Sequence, residues 1–355
     1  MKPPSETGVF AEPPASQASK PGSEERLDGL LRDTSRSFYL ALRVLPASVR
    51  PQIGLAYLLA RTSDTIADTG VVTVDRRLDL LAQFRGRVLG TSEAPMEAGE
   101  LEQHQGSAAE RRLLKHGETA LAKLLDFPAA DTQLIREVLT RIISGQELDL
   151  RRFAGASATH VHALATAAEL DDYTYRVAGC VGEFWTKMCR AHVFPRANLD
   201  DSLLLKNGVL FGQGQQLVNI LRDLPADLRQ GRCYLPEDEL KAAGLAPKDL
   251  LDPAAESRLR PVYNRWLERA EANLAAGWVY TNALPRKSAR VRLACAWPIL
   301  IGARTLDLLW SGRILDPTRR IKVSRQTVRW LMAKSVLLYP FENAWRGLGG
   351  QIDVA

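Results

Sequence analysis

From Leu27 to Leu338 apolar residues return every three or four positions, and the alternation that marks a half-buried strand is nearly absent. The rhythm runs through Leu27–Leu45, Gln52–Ala67, Arg76–Leu89, Ala108–Leu125, Asp131–Phe153, Tyr173–His192, Ser202–Leu224, Ala254–Asn282, Ser288–Leu309 and Arg325–Leu338. Breakers such as Gly70, Gly90, Pro128, Pro195, Pro236, Pro285 and Pro317 fall between these segments. The pattern predicts an all-α fold, one bundle-like domain of helices joined by short connections. The polar segment 90–105 reads as a surface loop. Residues 1–25 are rich in Pro, Ser and Glu and lack an apolar signal core, so they read as a disordered tail. The domain is placed at 26–345 and a C-terminal tail at 346–355.

Composition narrows the partners. The formal net charge of +6 is mild and scattered, which suits an anionic small substrate or an anionic membrane surface and argues against nucleic acid. The four cysteines form no CxxC pair and the five histidines do not cluster near them, so a zinc site is not expected. Reduced, buried thiols in a cytoplasmic protein are expected instead. The most apolar stretch, Leu293 to Trp310, is interrupted by Arg304 and Asp307 and reads as a core helix rather than a membrane span.

Two acidic motifs carry the chemistry. Asp64 and Asp68 lie four apart at the end of a predicted helix, and Asp223 and Asp227 repeat the spacing after a strongly apolar helix. Residues four apart share a helix face, where like charges repel. One such pair alone is most simply a solvated acidic face. Two pairs on facing helices would offer four hard oxygen donors, the ligation that Mg²⁺ prefers while bridging substrate phosphates. Pro225 falls inside the second motif and lacks a backbone N–H, so the helix is expected to kink or end there, leaving the reach of Asp227 less secure than that of Asp223. Arg36, Arg61, Arg222 and Arg232 stand close to these motifs, and guanidinium groups bind phosphate in bidentate fashion. Tyr57, two turns before Asp64, and Tyr173 offer aromatic faces that stabilise a cation.

With these residues in view, the chain resembles the squalene and phytoene synthases. The run SRSFYLALRVLPASVRPQIGLAYLLARTSDTIAD is similar to their opening block, YTYRVAGCVGEFW to their Y-C-x-x-V-A-G-x-V-G block, and GQGQQLVNILRDLPADLRQGRCYLP to their second aspartate block. The resemblance implies an all-α isoprenoid synthase domain around a central cavity. It implies Asp64, Asp68, Asp223 and Asp227 as ligands of Mg²⁺ or Mn²⁺, and Arg36, Arg61, Arg222 and Arg232 as diphosphate contacts. It places Tyr57 and Tyr173 at the reaction centre and Gln216 and Asn219 on the second-motif helix.

The branch is read from the C-terminal part. CAWPILIGARTLDLL followed by RRIKVSRQTVRWLM looks more like squalene synthases, which implies NADPH use with Arg320, Lys322 and Arg325 as cofactor contacts, whereas RQGRCYLP looks more like the phytoene and dehydrosqualene branch. The expected activity is head-to-head condensation of two farnesyl diphosphates, through presqualene diphosphate, to squalene. The alternatives are a phytoene or dehydrosqualene synthase without reductant, a terpene cyclase on the same fold, and a non-catalytic assembly factor. The stretch Val328 to Tyr339 is apolar on most of its circumference with Arg329 and Lys334 interspersed. It reads as a core helix or as one lying in a membrane interface, and peripheral binding at the cytoplasmic face of a membrane is expected.

Overall fold

The computed structural model describes residues 29–34, 38–104 and 107–350. The tail expected at 1–25 and Arg36 lie outside the described residues. Helices α1 (residues 29–34) and α2 (Phe38–Val44) lead into α3 (Arg50–Asp68) and α4 (Val74–Leu89). The short α5 (Gly99–His104), α6 (Ala108–Lys115) and α7 (Gly117–Ala122) bridge to the long α8 (Ala129–Arg152). Next, α9 (Ala167–Thr174) passes through one π-helical turn, Tyr175–Gly179, into α10 (Cys180–His192). Then come α11 (Asp201–Arg229), α12 (Glu237–Ala242), α13 (Glu256–Ala283), α14 (Ala289–Ser311), α15 (Arg325–Leu338) and α16 (Glu342–Arg346). Several starts are set by side-chain caps: Thr73, Ser107, Asp200 and Ser324 each accept a hydrogen bond from a first-turn backbone N–H.

Two apolar cores flank the middle of the molecule. One packs α3, α4, α8 and α10 through residues such as Leu59, Ile66, Phe84, Leu139 and Met188. The other packs α11, α13 and α14 through Leu221, Tyr263, Leu274, Ile299 and Leu306. The seam between them is a close helix crossing. A Cβ on Gly182 would lie 1.9 Å from the Gly208 carbonyl oxygen, and one on Gly212 would lie 2.2 Å from that of Ala178. Glycine is required there because backbone meets backbone. The four cysteines are all buried. Among the described residues, α14 alone is long and apolar enough to cross a membrane, and more than half of it is buried in the protein.

The structure departs from the sequence expectations in several places. The segment 90–105 contains α5, because Ala98 and Leu101 bury against the first core. The helix expected over Ala108–Leu125 breaks at His116, where Gly117 packs under Met96 and Thr62. A small parallel sheet, β1 (His162–Leu164) on β2 (Arg232–Pro236), occupies segments read as connections. Within the segment read as a tail from 346, Leu348 is buried and Gly349 lies against Trp278.

The helix expected to fail at Pro225 continues to Arg229. Proline leaves the carbonyl four residues earlier without a donor. That carbonyl belongs to Leu221, and the buried Tyr263 hydroxyl of α13 donates to it at 2.9 Å. A side chain thus replaces the missing backbone donor, and Asp227 stays on the helix.

Candidate functional site

The two aspartate pairs occupy equivalent places: Asp64 and Asp68 close α3, and Asp223 and Asp227 lie in the last two turns of α11. A helix C-terminus carries partial negative charge, so carboxylates there are destabilised unless cations stand near. Between the helix ends lies a cavity of about 240 Å³ lined by Asp64, Asp68, Gln146, Asp149, Tyr173, Val177, Gln216, Arg232 and Tyr234, among others. It is smaller than typical small-molecule pockets of roughly 300–1,000 Å³, and its size and polar lining suit the diphosphate end of a substrate. A larger groove of about 620 Å³ runs along the outer side of α8 and α10, but no residue of either aspartate motif lines it.

Arg61 Nη1 is 3.6 Å from Asp64 Oδ2, while its Nη2 pairs with Glu110 at 2.9 Å. Gln146 on α8 donates to Asp64 Oδ1 at 2.5 Å. Arg222 bonds Asp223 through Nε at 3.1 Å and Nη2 at 2.5 Å. Arg320 adds a contact to Asp223 at 3.2 Å. β2 points Arg232 and Tyr234 to the cavity side and Cys233 into the core, as a two-residue strand period requires. Gly231 starts that strand at φ +80°, where a Cβ would lie 2.2 Å from Ser157 N.

The charges are strongly perturbed. Although 44% of the Asp64 side chain stays reachable by water, the carboxyl lies deep in a concave wall, and desolvation, with Asp68 adding, raises it to about 6. Asp68 is raised by desolvation, against the pull of Arg232 and Arg61. Asp227 is pushed up to about 7, by desolvation first and by Asp223 next, with Asp149 and Asp68 adding to it. Asp223 goes the other way: burial opposes ionisation, yet Arg222 and Arg320 together hold it below its usual value. Asp227, not Asp223, is therefore the member of the second pair that senses the first. Tyr173 and Tyr234 are raised well above 10, chiefly by burial, so both are neutral phenols.

Of the expected site residues, Asp64, Asp68, Gln216, Arg232 and Tyr173 line the cavity; Arg61 and Asp227 stand outside its lining, Arg61 beside Asp64 and Asp227 within the influence of Asp68 and Arg232, and Asp223 is turned toward Arg222 and Arg320. Tyr57 packs against the first core and Asn219 is exposed, and neither lines the cavity. Lys322 and Arg325 are exposed and line neither cavity. Three residues went unnoticed in the sequence: Gln146, Asp149 and Tyr234. The first two have helical spacing on α8 facing the cavity. The third has strand spacing from Arg232.

The donor set fits a divalent cation. Buried Gln146 Oε1 and Asp149 Oδ1 have no hydrogen-bond partner among the described residues, and elevated carboxyl groups crowded in one wall call for positive charge. No preformed group of three acidic, histidine or cysteine ligands exists among the described residues, so water and substrate oxygens would have to complete the coordination, as Mg²⁺ usually allows.

Residues 31–327 match the family model of the squalene/phytoene synthases. The chain is 25% identical over 307 residues to squalene synthase ERG9 of Saccharomyces cerevisiae, covering 86% of this chain and 66% of that one. It is 28% identical over 303 residues to presqualene diphosphate synthase of Zymomonas mobilis, covering 84% and 89% respectively. A solved structure of TcSQS with the ligand E5700 superposes with a TM-score of 0.71 at 19% identity, over 93% of this chain and 96% of that one, a likeness of fold.

Proposed function

The chain belongs to the squalene/phytoene synthase family, and on that premise we propose that it joins two farnesyl diphosphates head to head, through presqualene diphosphate, to squalene with NADPH as reductant. The observation that carries this reading is a cavity lined by Asp64 and Asp68, Arg232 and two buried phenols, with Asp227 of the second motif close enough to feel the charges of Asp68, Asp149 and Arg232. An assembly factor has no use for several elevated carboxyl groups held in one wall, because uncompensated charge there costs stability.

Asp64, Asp68, Asp223 and Asp227 would hold Mg²⁺ or Mn²⁺. When bound, the metal supplies Lewis-acid neutralisation of the charge that builds on a departing diphosphate. Arg232, in the cavity wall, and Arg61, beside Asp64, would bind the phosphate oxygens in bidentate fashion. Tyr173 and Tyr234 line the cavity and would offer ring electron density to the allylic cation. The 2,3-double bond of the second substrate attacks that cation, and loss of a proton closes the cyclopropane. A phenol held neutral by burial is a poor base, so the proton goes to the released diphosphate. Val177 and Leu150 form part of the apolar lining that keeps water from the cation.

A second reading ends the reaction without a reductant, at presqualene diphosphate or at dehydrosqualene or phytoene. It is favoured by Arg320, expected at NADPH but bonded to Asp223. Incubating the protein with Mg²⁺ and farnesyl or geranylgeranyl diphosphate, with and without NADPH, separates the two. Squalene only with NADPH supports the first, and products indifferent to NADPH support the second.

The product is a hydrocarbon that must leave into lipid, and α15 offers a surface for that. Only Leu331 and Ser335 of this helix are buried. Trp330, Leu337 and the following Phe341 are 56%, 72% and 64% exposed, with Lys334 over the Trp330 ring. We place this face against the cytoplasmic leaflet, held by apolar insertion and basic side chains.

A further inference from the structure

Asp149 belongs to neither aspartate motif, yet it lines the cavity and contacts both side chains that β2 sends there, Arg232 and Tyr234. Its side chain is 13% exposed. Oδ2 accepts a hydrogen bond from the Tyr234 hydroxyl at 3.0 Å and lies 3.6 Å from Arg232 Nη1. Oδ1 is buried, without a hydrogen-bond partner among the described residues. The Tyr234 ring lies flat on Tyr173, with centroids 5.0 Å apart and planes at 23°, it meets Phe153 edge-on at 5.2 Å, and the two tyrosine hydroxyls are also hydrogen-bonded to each other. Tyr234 and Arg232 project from one face of a short two-stranded sheet, which by itself is too small to hold them rigidly. Asp149 comes from α8, an element of the first core, and ties that strand to it.

We propose that Asp149 is a positioning residue for cation control: by fixing the Tyr234 hydroxyl it locks Tyr234 against Tyr173, so that two stacked rings form one π wall toward the reacting carbon, while the same carboxylate orients Arg232 toward the diphosphate. The proposal rests on the functional reading given above. A phenol that donates to a carboxylate is electron-richer than a free one, which strengthens its attraction for a cation. The alternative, a carboxylate that merely satisfies a buried hydroxyl, makes no demand on the fate of the cation.

The two are separated by where the cation goes. An allylic cation held loosely is captured by water, which adds and loses a proton to give the prenyl alcohol. Asp149→Asn, Tyr234→Phe and the double variant would be compared with the full wild-type chain, using farnesyl diphosphate and Mg²⁺. Diphosphate release and the division of product between alcohol and condensed hydrocarbon or presqualene diphosphate are read together, with KM and kcat. We expect each single variant to lose about 10–100-fold in condensed-product turnover, the scale of a misplaced reacting group, with a rising alcohol share and a KM changed by less than about threefold. The double variant should be no worse than the worse single one, because both break one link. Tyr234→Phe removes only an oxygen and keeps the test valid if Asp149→Asn fails to fold. An unchanged alcohol share in Tyr234→Phe, or losses that multiply in the double variant, would overturn the proposal alone. A wild-type protein that releases no diphosphate would overturn the functional reading and the proposal with it.

Discussion

Asp223 and Asp227 share one helix face and titrate in opposite directions. Asp223 has two guanidinium partners at 2.5 and 3.2 Å; Asp227 has none within ion-pair distance among the described residues, and is lifted to about 7 by burial and by its neighbour. Their neutral substitutes should therefore differ in the metal-free protein. Asp227 has a folded value above the unfolded one near 4, so its cost is absent at low pH and grows as pH rises from about 4 to 7. Asp227→Asn should raise the melting temperature, and by more at pH 7.5 than at pH 5. Asp223 has a lowered folded value, so its contribution is present above the unfolded value and fades as pH falls. Asp223→Asn should lower the melting temperature at pH 7.5, by leaving Arg222 and Arg320 without their carboxylate. Melting curves of the two variants at both pH values decide this, and parallel behaviour would mean the pair is electrostatically equivalent. The motif aspartates were legible in the sequence because helical spacing and flanking arginines announce them. Asp149 was not, since one acid on the polar face of an amphipathic helix looks like any solvated carboxylate. Tyr234 was hidden because its stretch read as a connection.

Pro225 shows what an element can hide from its own sequence. Read along the chain it ends α11; read across to α13 it is tolerated, because Tyr263 supplies the missing donor. Tyr263→Phe should destabilise the fold by about 1–3 kcal/mol, the cost of a buried unsatisfied carbonyl, and should cut turnover through Asp227. Denaturant titration alongside the activity assay would check it, and a variant as stable as wild type would show that α11 does not need the hydroxyl. The C-terminal helix was ambiguous for a different reason. A helix apolar on most of its circumference is usually buried, and only the assembled fold shows that its partners cover the Leu331 and Ser335 side alone. The protein should sediment with anionic vesicles at low salt and be released at high salt. Trp330→Glu with Leu337→Glu should abolish this while leaving detergent-solubilised activity intact. A wild-type protein that stays in the supernatant at low salt would rule out the membrane face.

At the scale of the whole molecule, two cores meet along a glycine-lined crossing and leave the end of α3 and Gln216 of α11 lining one cavity. The helical class was plain from periodicity, and the small β1–β2 sheet was not, because strands of three and five residues carry too few alternations to register. Yet that sheet delivers Tyr234 and also Arg232, the counter-charge that most offsets Asp68 and Asp227. The account stands or falls on whether this cavity ionises a prenyl diphosphate and couples the cation to a second chain. The most direct measurement is mass-spectrometric analysis of the products from farnesyl diphosphate, with Mg²⁺ and with a chelator in its place, for wild type and Asp64→Asn. The expected result is a product carrying both farnesyl chains with Mg²⁺ and wild type, and none with the chelator or the variant. A doubled product formed equally well by Asp64→Asn, or no doubled product under any condition, would contradict it.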